Sequence, residues 1–219
     1  MRRNAAEPGP CIRVLAGANG AGKSSIAGAF IRELGGDYFN PDEVARAIAR
    51  ATRGIGGDEA NSLAWRKGVE LLRSAIARRN DFSLETTLGG ETITKLLDEA
   101  LDAGLEVRVW FIGLSTADLH VQRVASRVLQ GGHPIPVELV RRRFDHGRLN
   151  LIRLLPRLTE LRVYDKSAAG DPAAGKAPSP QLVIHVVNGV VRAPKDLRST
   201  LDWAKPIVAA VLKSVRPRS

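Results

Sequence analysis

Gly17-Ala18-Asn19-Gly20-Ala21-Gly22-Lys23-Ser24 is a complete G-x-x-x-x-G-K-S sequence, and its surroundings decide the fold class. It follows Ile12-Arg13-Val14-Leu15-Ala16, a short strand-like run, and precedes Ser25-Ile26-Ala27-Gly28-Ala29-Phe30-Ile31-Arg32, which can continue as a helix. Strand, glycine turn and helix in that order are the context in which this motif holds phosphate. The glycines let consecutive N–H groups converge on one anion, and the helix behind adds its positive N-terminal end. Gly17 to Ser25 are therefore the candidate nucleotide-binding residues. Lys23 is suited to the β- and γ-phosphates of ATP, and the Ser24 hydroxyl to a Mg2+ ion bridging them. A glycine-rich turn that binds nothing is the plainer alternative, and the filled motif positions and correct flanks weigh against it.

Outward from the loop, strand-like and helix-like segments alternate, which predicts an α/β domain with a mostly parallel sheet between helices. A first strand is expected over Cys11 to Ala16, and a first helix from the loop to near Leu34, stopped by Gly35-Gly36. Asp37-Tyr38-Phe39 reads as a short second strand. Asn40-Pro41-Asp42-Glu43 has the grammar of a helix start: a capping Asn, Pro at the first helical position and acids in the first turn. A helix over Asp58 to Arg79 carries Leu63, Val69, Leu72 and Ile76 as its apolar stripe, and Phe82 to Leu88 reads as a strand ending in Gly89-Gly90. Thr92 to Ala103 is helical in pattern, and Leu105 to Leu114 ends in a continuous apolar run suited to a central strand.

Helices follow over Thr116 to Gln130 and Val137 to Leu155, separated by Gly131-Gly132-His133-Pro134-Ile135-Pro136, which is too rich in Gly and Pro to be regular. Glu160 to Asp165 is a further strand, and residues 167–180 read as a mobile loop. Gln181 to Arg192, with Asn188-Gly189 in its midst, suggests a hairpin or a final strand, and a last helix is expected over Pro194 to Val215.

The chain of 219 residues fits one domain with a substantial core. Its 44% hydrophobic and 26% charged residues describe a globular protein. The single cysteine, Cys11, excludes an internal disulfide and fits a reducing compartment. Residues 1–10 are expected as a flexible terminus without the apolar stretch of a secretory signal, and no segment approaches the ~20 apolar residues of a membrane span, so a cytoplasmic location without membrane contact is expected. The net charge of +10, from 33 basic and 23 acidic residues, invites a nucleic-acid partner. However, the basic residues are scattered and no nucleic-acid-binding motif accompanies them. An anionic small substrate or an acidic protein explains the surplus equally well.

Several separated strings carry a family resemblance. They are Ala16 to Ser25; Phe39-Asn40-Pro41-Asp42-Glu43-Val44-Ala45; Leu84-Glu85-Thr86-Thr87-Leu88; Arg127-Val128 through Gly131-Gly132-His133-Pro134-Ile135-Pro136; and Tyr164-Asp165-Lys166-Ser167. With them the chain resembles the zeta toxin family of phosphate-loop kinases over about two thirds of its length. The resemblance implies a single three-layer P-loop NTPase-type domain with a helical lid around residues 130–143. It also implies transfer of the ATP γ-phosphate to a hydroxyl of a nucleotide-sugar such as UDP-N-acetylglucosamine, and an acidic antitoxin protein as partner. On the same basis Asp42 is the base, Glu85 and Thr87 are acceptor contacts, and Arg127 with one of Arg141, Arg142 or Arg143 forms the lid pair. The chain departs from the family pattern at Lys166, where Asn is usual, and shows no apolar run ending in Asp to supply the second magnesium group; Asp42, Glu85 and Asp165 remain open for that role.

The residues themselves bear on these roles. Phosphoryl transfer needs chiefly positioning and charge neutralisation, so one carboxylate near the acceptor and two or three cations around the γ-phosphate suffice. Asp42 fits the first need, and is equally an ordinary macrodipole partner in a first helical turn. Glu85 and Thr87, two apart on a strand, leave the same face near its carboxyl end, where open α/β sheets bind ligands. Arg123 and Arg127 share a helical face beside Val121, Val124 and Val128. Arg141, Arg142 and Arg143 fan through about 200° of a helix, so they cannot all face one ligand. Arg143 is favoured because Phe144 adjoins it and Val140 precedes it by three. His133 reads as a turn residue, and Tyr164 and Asp165 either line the nucleotide site or join core to loop. The competing functions are a kinase for a nucleoside or nucleic-acid end, and a nucleotide-gated binding protein that transfers nothing.

Overall fold

Strands that are apolar on both faces must be covered from both sides, and parallel pairing between helices achieves this. The computed structural model describes residues 9–24, 26–28, 30, 38–168 and 179–214. Among them six strands form one sheet in the order β2-β1-β3-β4-β5-β6. Strands β1 (Cys11–Ala16), β2 (Phe82–Thr86), β3 (Glu106–Gly113) and β4 (Glu160–Asp165) are parallel. Strands β5 (Gln181–Val187) and β6 (Val190–Ala193) add an antiparallel hairpin at one edge. Asn188 and Gly189 both take positive φ, +50° and +73°, as a two-residue turn matched to strand twist requires.

The helices are α1, helical at residues 24, 26–28 and 30, α2 (Pro41–Ala51), α3 (Gly57–Arg78), α4 (Glu91–Asp102), α5 (Ala117–Leu129), α6 (Val137–Leu154) and α7 (Lys205–Ser214). On one face of the sheet Ile12, Val14, Val107, Val109, Leu161 and Val163 pack with Leu72 of α3, Leu97 of α4, Leu151 of α6 and Ile207 of α7. On the other, Leu15, Trp110 and Ile112 meet Ile26 and Phe30 of α1, with the Phe30 and Trp110 rings edge to face at 5.2 Å. The result is the three-layer, mostly parallel α/β architecture that the alternation predicts. The chain leaves β1 toward β2 on one side and returns to β3 on the other, which opens a crevice beyond the carboxyl ends of these strands. The glycine loop lies there.

Two elements differ from expectation. The strand over Asp37-Tyr38-Phe39 reduces, in its described part, to one parallel bridge between Phe39 and Leu84. The C-terminal helix is shorter than 194–215: residues 194–201 are irregular, a 3-10 turn covers Asp202–Ala204, and α7 begins only at Lys205. Pro206 lacks an N–H and clashes with the preceding turn, so a helix can begin around it but cannot run through it. Upstream, the Asp196 carboxylate accepts the Arg198 N–H at 2.9 Å, a local bond that competes with helix. The expected end of the first helix near Leu34, Ser25, most of the 1–10 terminus and residues 169–178 of the expected mobile loop lie outside the described residues.

Candidate active site

Strand β1 delivers the loop between its two neighbours. Gly17 donates its N–H to the Thr86 carbonyl at 3.2 Å, and at φ +146° any Cβ there would overlap the Ile112 carbonyl. Gly20 and Gly22 also have positive φ, +79° and +81°, and a Cβ on Gly20 would lie 2.6 Å from the His120 carbonyl oxygen. Glycine is thus required both for the curl and for the close approach of α5. Lys23 is buried, its Nζ donating to the Gly17 carbonyl at 2.7 Å and lying 3.5 Å from Glu85 Oε1. Ser24 is exposed at the start of α1.

Glu85 connects the loop to α2. Its Oε2 accepts from the Tyr38 hydroxyl at 3.1 Å, and Asn40 Nδ2 donates to that same hydroxyl oxygen at 3.2 Å. Asn40 is the predicted cap: its Oδ1 accepts the N–H groups of Asp42 and Glu43, with Pro41 opening the helix. Burial and the Glu85 charge push the Tyr38 phenol up, so it stays a neutral donor. Lys23, Glu85, Tyr38 and Asn40 therefore form one polar chain ending at the turn that carries Asp42. Tyr38 has no signal in the sequence beyond its neighbourhood to Asn40. Thr87 stands one residue past the end of β2, where its hydroxyl accepts the Gly89 N–H at 3.4 Å, so the shared-face argument for Glu85 does not extend to it.

Helix α5 lies across the loop, and its two arginines go to opposite ends. Arg127 Nη1 stands 3.7 Å from Asp42 Oδ2, both side chains substantially exposed. Arg123 donates to the Lys166 carbonyl at 2.8 Å and ties α5 to the end of β4. From α6, Arg143 Nη1 donates to Asn19 Oδ1 at 2.7 Å, whereas Arg141 pairs with Asp118 of α5 at 2.7 Å and Arg142 is exposed. Of the three consecutive arginines, Arg143 is the one the fold brings to the loop. The segment between α5 and α6 reaches α3, with His133 Nε2 3.3 Å from Asn61 Nδ2 and 3.8 Å from Asp58 Oδ1.

Sequence reasoning passed over three neighbours of the loop. His120 is buried, and its Nδ1 lies 2.8 Å from the Asn19 carbonyl oxygen. Lys166, noted only as a departure, is buried with its Nζ 3.5 Å from the Gly22 carbonyl oxygen, and desolvation lowers its pKa. Trp203 donates its indole N–H to Asp165 Oδ2 at 2.8 Å. Asp165 also accepts the backbone N–H and the hydroxyl of Ser167, so its carboxylate is occupied in joining core to loop. Among the described residues no group of three His, Cys, Asp or Glu side chains could hold a metal ion. The exposed Ser24 hydroxyl alone suits Mg2+, which keeps several waters and relies on substrate phosphates rather than on an all-protein cage. No described helix is long and apolar enough to cross a membrane.

The zeta toxin family model matches residues 2–171. An uncharacterised protein of Haemophilus influenzae is 28% identical over 128 residues, 58% of this chain and 88% of its own. Among solved structures, the AvrRxo1-ORF1:-ORF2 complex with ATP superposes with a TM-score of 0.62 at 18% identity, over 94% of this chain and 64% of that one. This chain thus spans a little under two thirds of that protein's length. The PezAT toxin-antitoxin structure from Streptococcus pneumoniae gives a TM-score of 0.53 at 13% identity, covering 99% and 92% of the two chains. The structural likenesses establish the fold, and the family model, which matches residues 2–171 of the 219, shows that this chain belongs to the zeta toxin family.

Proposed function

We propose that the protein is an ATP-dependent kinase that transfers the γ-phosphate to a hydroxyl of a nucleotide-sugar of the UDP-N-acetylglucosamine kind. The observation that carries this reading is one complete phosphate loop with Arg143 on its Asn19, its Lys23 leading through Glu85, Tyr38 and Asn40 to the capped helix turn where Asp42 stands beside Arg127. Lys23 and the loop amides beyond Gly17, whose own N–H is taken by Thr86, hold the β- and γ-phosphates. Ser24 would hold Mg2+, with Glu85 or Asp42 as the candidate second group, and the ion would neutralise phosphate charge. Asp42 accepts the proton of the attacking hydroxyl, while Glu85 orients the acceptor. Arg127 and Arg143 offset charge that develops on the transferred group.

An acidic antitoxin protein is the proposed macromolecular partner, suited to the +10 charge. The decisive experiment incubates the protein with γ-labelled ATP, Mg2+ and UDP-N-acetylglucosamine, beside UDP-glucose, a nucleoside and a 5′-hydroxyl oligonucleotide. Label on the nucleotide-sugar supports the reading. Label confined to the nucleoside or oligonucleotide, or to none of the acceptors, overturns the acceptor class.

A further inference from the structure

Asn19 is held from two helices at once. Its carbonyl oxygen faces His120 Nδ1 of α5 at 2.8 Å, and its side-chain Oδ1 accepts from Arg143 Nη1 of α6 at 2.7 Å. A carbonyl oxygen can only accept, so the proton of the neutral imidazole sits on Nδ1. His120 is 1% exposed, and burial, reinforced by the charges of Lys23, Arg123 and Arg148, holds its pKa down to about 4. The ring therefore stays neutral and keeps this bond through the physiological range. The other side is equally close: a Cβ on Gly89 would lie 3.1 Å from Arg143 Cα, so α6 is seated directly against the turn after β2.

The loop carbonyl is thereby fixed, and the Asn19 amide presents an acceptor to a guanidinium that would otherwise sample many rotamers. We propose that Asn19 is a positioning residue that parks Arg143 at the phosphate loop, so that the arginine meets the γ-phosphate already ordered. The inference rests on the reading of Arg143 as a lid arginine. Guanidinium carries five N–H donors, and the Asn19 bond uses one, which leaves a fork for phosphate oxygens. A long side chain held in place before the ligand arrives avoids the ordering cost at binding.

The test compares a non-hydrolysable ATP analogue with ADP, because only the former carries a γ-phosphate; their affinity ratio isolates what Arg143 meets. Dissociation constants are measured by calorimetry on the full chain for wild type, Arg143→Ala, Asn19→Ala and the double variant. Arg143→Ala should lower the preference for the triphosphate by roughly 10-fold or more, as loss of a charge-assisted contact does. Asn19→Ala should lower it roughly 3- to 10-fold, the ordering cost of one long side chain, and should lower it no further once Arg143 is gone. Near-isosteric Asn19→Leu, which keeps volume without an acceptor, should match Asn19→Ala and carries the same test if the smaller variant does not fold. Equal weakening of both nucleotides by both Asn19 variants, or an undiminished effect in the Arg143→Ala background, overturns the coupling. If Arg143→Ala itself leaves the ratio unchanged, the lid reading falls and the inference with it.

Discussion

Asp42 has two competing explanations, helix-end charge and general base, and Asp42→Asn separates them because the two predict opposite balances of stability and activity. As a structural residue, Asp42 contributes through the first turn of α2 and through Arg127 at 3.7 Å, with side chains 62% and 42% exposed. A first-turn acid is worth about 0.3–1 kcal/mol, and an exposed ion pair about 0–1 kcal/mol. The Asn40 cap and the Pro41 start are untouched. The variant should therefore lose only about 1 kcal/mol, a drop in Tm of about 2–4 °C for a domain of this size. As the base, Asp42 contributes roughly 100- to 10,000-fold to transfer. Thermal unfolding and steady-state transfer from γ-labelled ATP to the accepted hydroxyl are measured on one preparation. Near-native Tm with a loss of transfer of at least 100-fold supports the base; full transfer would refute it, and a loss of transfer that merely tracks unfolding would refute it too.

Three other expectations rest on buried groups. His120 has its folded pKa near 4, below the roughly 6.5 of an unfolded histidine, so the unfolded state binds the extra proton and stability falls as pH drops from 6.5 toward 4. The full effect is about 3 kcal/mol, and His120→Asn, which keeps a donor but cannot titrate, should flatten the urea-midpoint profile over that window; an unchanged slope contradicts the assignment. Gly113→Ala places a methyl against the Trp203 ring, which its bond to Asp165 and its burial hold in place, and should destabilise by about 3 kcal/mol in urea unfolding; a loss under about 0.5 kcal/mol would show that the ring can yield. The Cys11 thiol is 1% exposed and pushed up to about 11 by burial, so iodoacetamide at pH 8 should label it only in denaturant, as intact-mass spectrometry would show.

What the sequence determined by itself is whatever the backbone decides over a few residues. Gly17, Gly20 and Gly22 mark positions where φ is positive, Asn40-Pro41 marks a helix start, and Asn188-Gly189 a tight turn, because each depends on local sterics or on a bond within four residues. The alternation of β1 to β4 with helices was legible for the same reason: side-chain period and length separate strand from helix before any packing occurs. Even the late start of the C-terminal helix, α7 at Lys205, was readable at Pro206, had the missing N–H been weighed against the apolar pattern.

Tertiary structure alone decided which polar groups meet. Arg141, Arg142 and Arg143 differ only by rotation about one helix axis, and the rotation is set by α6 seating Arg143 against Gly89 and Gly147 against the Thr87 carbonyl, contacts between residues more than 50 apart in the chain. Asp165 is occupied by Trp203, 38 residues later, and Asn19 meets His120 and Arg143, 101 and 124 residues later. Such pairings depend on how rigid elements dock, and docking is governed by the summed burial of apolar faces rather than by any short run of residues.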